Sequence, residues 1–332
     1  MRTSGRGWAS TFQAILFIGV LAYSWHRVAP NIGEVGRVFE TGAIHWSRLP
    51  AIVLLLFTSH AVAIALWQRQ LIYANGRPRS RATRYFLVAR AWILSNLARY
   101  IPGKVWQLGV MVALLRDPVR LETPVVLESS LAVLFVFNGA GFALVALFGA
   151  AELQLPTWLV GISAGASLTG FIGPLVLGPL SDAVRRRLPS MPSLRSVSAK
   201  TIAHQAVGAV LAWLLQGVAF WLLAVSVVPA GASTLTVGIC ITAYVWSYLV
   251  GYVAIFAPGG IAVREGALVA ALTAVRSCSA SEAVAISVAS RVVLTIVEVL
   301  PGLLLLAAGV ISSGRPTRSA KVTTMSDDDR RH

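Results

Sequence analysis

Charge is scarce in this sequence. Only 12% of its 332 residues are Asp, Glu, Lys or Arg, about half the share of a soluble domain. Acidic residues are the scarcest, 13 against 28 basic ones, and the basic set is arginine apart from Lys104, Lys200 and Lys321. Cysteine is limited to Cys240 and Cys278, which excludes a disulfide scaffold and a cysteine-based metal site. No HExxH, GxSxG or Walker A motif occurs, and no Cys/His cluster. The zinc-protease, serine-hydrolase and P-loop chemistries therefore have no visible seat, and the chain calls for no cofactor and no metal.

What is present is apolar: 56% of residues are hydrophobic and the mean hydropathy is +0.74. Several runs exceed about 18 residues, the length of a bilayer span. The expected fold class is an all-α integral membrane protein. A net charge of +15 invites a nucleic-acid reading. The basic residues, however, sit in short gaps between apolar runs, which is the positive-inside pattern, so no nucleic-acid partner is expected.

Full spans are expected at about 8–26, 50–72, 122–150, 157–180, 201–228 and 284–311. Arg2 and Arg6 precede the first run as in a signal peptide, but LAYSWHRVAP offers no small-x-small cleavage site, so it reads as a retained span. Two further apolar regions are interrupted: 83–115 at Pro102-Gly103, and 236–275 at Pro258-Gly259-Gly260. The arginine-rich gaps at 69–84 and 181–200, and the tail, are assigned to the cytoplasm. The gaps at 151–156 and 229–234 lack basic residues and are assigned outside.

Parity then constrains the interrupted regions. One full span, 122–150, already links an inside gap to an outside one, so 83–115 must enter and leave on the cytoplasmic side. By the same count 236–275 must enter and leave from outside. Both read as re-entrant helical hairpins, giving about six full spans and two hairpins; the alternatives are paired full crossings or single kinked helices. Residues 1–312 form one polytopic domain with inverted repeats at about 50–150 and 201–311, followed by a disordered cytoplasmic tail, 313–332. Inverted repeats with Pro/Gly-interrupted segments at matching positions mark a transporter-like site near the midplane.

Ionisable groups at membrane depth are costly, about 2.5–3.5 kcal/mol each on insertion scales, so each asks for a partner or a purpose. Near the first break lie Asn96, Arg99, Lys104 and Gln107. The second break carries Arg264 and Glu265, and Glu128, Arg291 and Glu298 lie in spans. Summed, these leave about one spare positive charge, which suits an anion, and phosphate is the anion of lipid headgroups. Arg264 and Glu265 are adjacent and point differently, so each needs its own partner. Arg291 and Glu298, two turns apart on one helix face, are candidates. Arg90 reads as a snorkelling residue, and His60 and His204 as core histidines. Trp92, Tyr100 and Trp106 line the cavity or sit at the interface, and Gly161-x-x-x-Gly165 is a candidate helix contact.

The stretch SNLARYIPGKVWQ (95–107) resembles the first signature of the lysylphosphatidylglycerol synthase transmembrane-region family of flippase-like proteins. APGGIAVREGALV (257–269) resembles its second signature, which usually has Gly where Ala262 stands here. The resemblance covers about 10–310. It implies a flippase-like protein without the soluble aminoacyltransferase domain of the best-known members. It also implies site roles for Asn96, Arg99, Pro102, Gly103, Lys104 and Gln107, and for Pro258, Gly259, Gly260, Arg264, Glu265 and Gly266. The expected function is binding and translocation of an anionic phosphate-bearing lipid, aminoacylated or polyprenyl- or sugar-linked. The alternatives are a membrane-embedded transferase on a lipid-linked substrate, with Glu128, Glu265 or Glu298 as base, and a scaffold for envelope-synthesis enzymes. The expected location is the inner (plasma) membrane, with both termini cytoplasmic.

Overall fold

The computed structural model describes residues 46–75, 85–98, 105–116, 121–189, 194–228, 234–254, 257–276 and 278–313. These are all-helical, with no strand among them. The expected first span, the first break at Pro102-Gly103 with Arg99 and Lys104, and the tail lie outside the described residues. A 3-10 turn, Trp46–Arg48, leads into nine α-helices among the described residues: α1 Leu49–Asn75, α2 Tyr85–Ala98, α3 Val105–Arg116, α4 Thr123–Leu153, α5 Thr157–Arg185, α6 Ala199–Val227, α7 Val237–Val253, α8 Val263–Ala274 and α9 Ala280–Ser313.

Five of these, α1, α4, α5, α6 and α9, are long and apolar enough to cross a membrane, and they fall on the five expected spans between 50 and 311. The others are short. α2, α3 and α8 have 14, 12 and 12 residues, below the roughly 17 a crossing needs. α7, with 17, sits at that limit. Side-chain caps start α6 and α7: Ser198 accepts from Thr201 N and Thr236 from Ile239 N, each satisfying one of the orphan donors of a helix start.

The helices pack as two equivalent sets. α1 packs on α2 and α4; α6 packs on α7 and α9. α2 packs on α3, α7 on α8. α3 packs on α4, α8 on α9. Across the halves, α4 meets α7 and α9 meets α2. Such pairing is what a two-fold relation between the halves generates, and its sense is visible where α1 meets its counterpart α6. Arg48 Nη1 donates to Val225 O at 3.0 Å, Ser59 Oγ to Ala212 O at 3.0 Å, and Gln205 Nε2 to Gln70 Oε1 at 2.6 Å. Numbers rise along α1 as they fall along α6, so these two helices run antiparallel.

α5 belongs to neither set and packs mainly on α4. The contact is made by glycines: a Cβ added to Gly139 would lie 2.9 Å from Gly170 Cα. Among the described residues, Gly161 and Gly165 make no close helix contact; a Cβ at either would meet nothing within 4 Å. The outer faces of α5 and α9 carry Trp158, Ile162, Leu168, Ile172, Val292, Ile296 and Leu303, all exposed, as lipid-facing surface should be. Inside, Trp213, Tyr244, Leu249, Leu272 and Ile286 are almost fully buried in the main core. Cys240 and Cys278 are free thiols. Burial, with the nearby Glu282 carboxylate, pushes the Cys278 thiol up to about 12.

Candidate functional site

The second broken region is a tight helical hairpin. α7 runs back along α6: Trp221 Nε1 donates to Leu235 O, and Tyr244 Oη to Gln216 Oε1 at 2.9 Å. At its end comes the 3-10 turn Pro258–Gly260, where Gly259 and Gly260 have φ of +58° and +69°, conformations glycine adopts without cost. Gly260 lies against the backbone of Gly251, where an added Cβ would come within 3.1 Å of Gly251 O. Gly251 in turn admits Arg264, whose Cβ would be 3.0 Å from a Cβ there. Ala262 also has a positive φ, +69°.

Arg264 projects from the first turn of α8 and is buried, 8% exposed. Its guanidinium lies 4.9 Å from the Tyr244 ring centroid and 5.1 Å from that of Tyr248. Glu298 borders the same cavity as Arg264. Tyr244, Tyr248 and Tyr252 recur every four residues, on one face of α7. The Tyr244 hydroxyl continues inward, because Gln216 Nε2 donates to Ser59 Oγ at 2.8 Å. A polar chain thus runs from the α1–α6 interface to the buried cation.

Glu265, one residue on, faces α9. Its Oε1 is 3.4 Å from Arg291 Nε, and Arg291 Nη1 donates to Gly259 O at 3.4 Å. Arg291 and Glu298, two turns apart on α9, therefore serve the adjacent residues Glu265 and Arg264 separately. Counted at the second break, Arg264 and Arg291 are balanced by Glu298 and Glu265, and the positive surplus of the sequence falls to Arg99 and Lys104, outside the described residues.

The first broken region contributes amides. Gln107 Nε2 on α3 donates to Asn96 Oδ1 on α2 at 3.0 Å, and Trp92 lies one turn before Asn96 on the same face. The two regions meet at one cavity of ≈ 280 Å³. Asn96, Gln107 and Trp92 border it from the first half, and Gly259, Gly260, Arg264 and Glu298 from the second. Of the expected site residues in the described part, those four side chains, Asn96, Gln107, Arg264 and Glu298, converge there. Glu265 and Arg291 brace the turn behind it. Glu128 lies elsewhere: its Oε2 accepts from Arg195 N at 3.0 Å, which pins the segment leading into α6. Trp106 is exposed and does not line the cavity.

Sequence reasoning missed several wall residues. His60, expected in the core, borders the cavity together with Asn138, Gln216, Tyr248 and Tyr252. His60 Nδ1 is 2.7 Å from Leu56 O; a carbonyl only accepts, so Nδ1 is the donor. The available signals were amides inside otherwise apolar spans and the four-residue spacing of the tyrosines. No protein-family model matches the sequence, and no curated protein matches it closely enough to count as a relative.

Proposed function

We propose that this protein binds a phosphate-bearing membrane lipid in the cavity and passes it between leaflets. The observation that carries the reading is the convergence of two interrupted regions from opposite repeats on one cavity. Interrupted helices at matching positions of inverted repeats build the substrate sites of many transporters. The short α2, α3, α7 and α8 suit re-entrant arms entering from opposite faces, and irregular backbone at that depth is tolerated where it lines a cavity. The resemblance of residues 95–107 and 257–269 to the flippase-like family points the same way.

In this reading Arg264 and the first turn of α8 meet the phosphate, since a helix start favours anions and a guanidinium binds phosphate through paired donors. Arg99 and Lys104 add charge from the first tip. Rocking of one repeat against the other opens the cavity to each leaflet in turn, passively or coupled to an ion. The setting is the inner (plasma) membrane.

Leaflet exchange in liposomes tests it. The purified chain, Lys104→Ala and Arg264→Gln are reconstituted with fluorescent phosphatidylglycerol, its lysyl form and a prenyl-phosphate hexose, and a membrane-impermeant quencher reports the exposed fraction over time. Faster exchange of at least one lipid, reduced in both variants, is expected. Folded protein that accelerates none overturns the reading and leaves the transferase and scaffold functions.

A further inference from the structure

The polar groups of the cavity wall narrow the headgroup, given the lipid-transfer reading above. Formal charge on the described wall cancels, because it carries one cation, Arg264, and one carboxylate, Glu298. What stays unmatched is neutral. Asn138 is 9% exposed and borders the cavity. Its amide nitrogen donates to Leu134 O at 2.8 Å, while its Oδ1 is buried with no hydrogen-bond partner among the described residues. Trp92 Nε1, on the same cavity, is buried and without a partner in the same sense. One is an acceptor and the other a donor, and a buried polar group left unmatched is costly unless something supplies its partner.

The headgroup classes differ in what they can supply. A phosphate or carboxylate only accepts, so it could serve Trp92 but not Asn138. An ammonium only donates, so a lysyl group could serve Asn138 but not Trp92. A hydroxyl does both. The rings of Tyr248 and Tyr252 beside these groups add apolar faces of the kind a sugar ring lies against. We infer that the cavity takes a polyhydroxyl headgroup, such as a hexose, with hydroxyls donating to Asn138 Oδ1 and accepting from Trp92 Nε1 while the attached phosphate lies toward Arg264.

Matched lipid pairs test this with the full chain in liposomes. One pair is a prenyl phosphate with and without a hexose; the other is phosphatidylglycerol and its lysyl form. The hexose-bearing lipid is expected to exchange about tenfold or more faster than the bare phosphate, as a hydroxyl-reading site discriminates. It should also outpace both glycerol lipids; phosphatidylglycerol in the lead would instead mean that glycerol hydroxyls suffice, which contradicts a hexose. Asn138→Leu and Trp92→Phe should each bring the ratio of the first pair toward one. If both variants misfold, the ratio for the unaltered chain still decides. Equal rates within the first pair mean that water alone satisfies the two groups, and they refute the inference while lipid transfer stands, as does a lead for the lysyl form. No acceleration of any lipid refutes both.

Discussion

The Arg264 guanidinium lies 4.9 Å from the centroid of the Tyr244 ring, and the hydroxyl of that same tyrosine donates to Gln216 Oε1. One residue thus meets the buried cation with its ring face and ties itself to α6 with its oxygen. Tyr244 is itself fixed by Gln216 at 2.9 Å, so the cation's place depends on the α1–α6 interface.

Tyr244→Phe separates the two roles. The ring stays and the hydroxyl goes, leaving Gln216 Oε1 without its donor. Loss of about 1–3 kcal/mol of stability is expected, the cost of an unmatched buried group, together with slower lipid exchange. Thermal unfolding in detergent reads the first effect. An unchanged midpoint would show that the hydroxyl contributes nothing.

The brace behind the turn is tested by charge. Glu265 and Arg291 are 24% and 21% exposed at the side chain, between the surface and buried cases. Glu265→Gln or Arg291→Gln should cost about 1–3 kcal/mol, between the near-zero worth of exposed pairs and the larger penalty of breaking buried ones. The swapped double variant Glu265→Arg/Arg291→Glu should recover part of that loss. Additive losses in the double variant would mean that the two residues act independently.

Ala262 is a non-glycine residue with φ of +69°, where an L side chain is strained by about 1–2 kcal/mol. Ala262→Gly should therefore raise the unfolding midpoint, although glycine usually lowers stability through chain entropy. A lowered midpoint would show that the alanine methyl, buried here, contributes more by packing than its backbone costs.

Two glycine sites on α5 make opposite predictions. Gly170→Ala drives a methyl into the backbone of Gly139 and should part α4 from α5, lowering stability. Gly161→Ala meets open space and should be neutral or slightly stabilising, as alanine is the better helix former. Equal effects at the two sites would contradict the packing described here.

Much of this architecture was legible because bilayer physics writes it into sequence. The five long helices appear as uninterrupted apolar runs, and the Pro-Gly breaks mark where helices must stop. Adjacent Arg264 and Glu265 had to part company on a helix, and they did, toward α7 and toward α9. Two things were not legible. Glu128 looked like its fellow intramembrane acids, but only the fold brings Arg195 N to it. Glycine spacing at 161 and 165 looked like a contact, yet the contact is Gly139 with Gly170, and which face of α5 meets α4 is a tertiary fact. The amides Asn138 and Gln216 carry little signal of their own because, unlike charges, they cost little enough in a span to pass for ordinary polar residues.

The central claim is a single cavity, built by both repeats, that opens to each face in turn. Sided accessibility of Gln107→Cys and Tyr252→Cys tests it most directly, in a chain whose Cys240 and Cys278 are replaced by serine. A membrane-impermeant thiol reagent is applied to one face of oriented vesicles and then to the other. The account predicts that both positions label from both faces, and that excess lipid substrate slows labelling at both. Labelling of Gln107→Cys from one face only and of Tyr252→Cys from the opposite face only, with no effect of lipid, would contradict it.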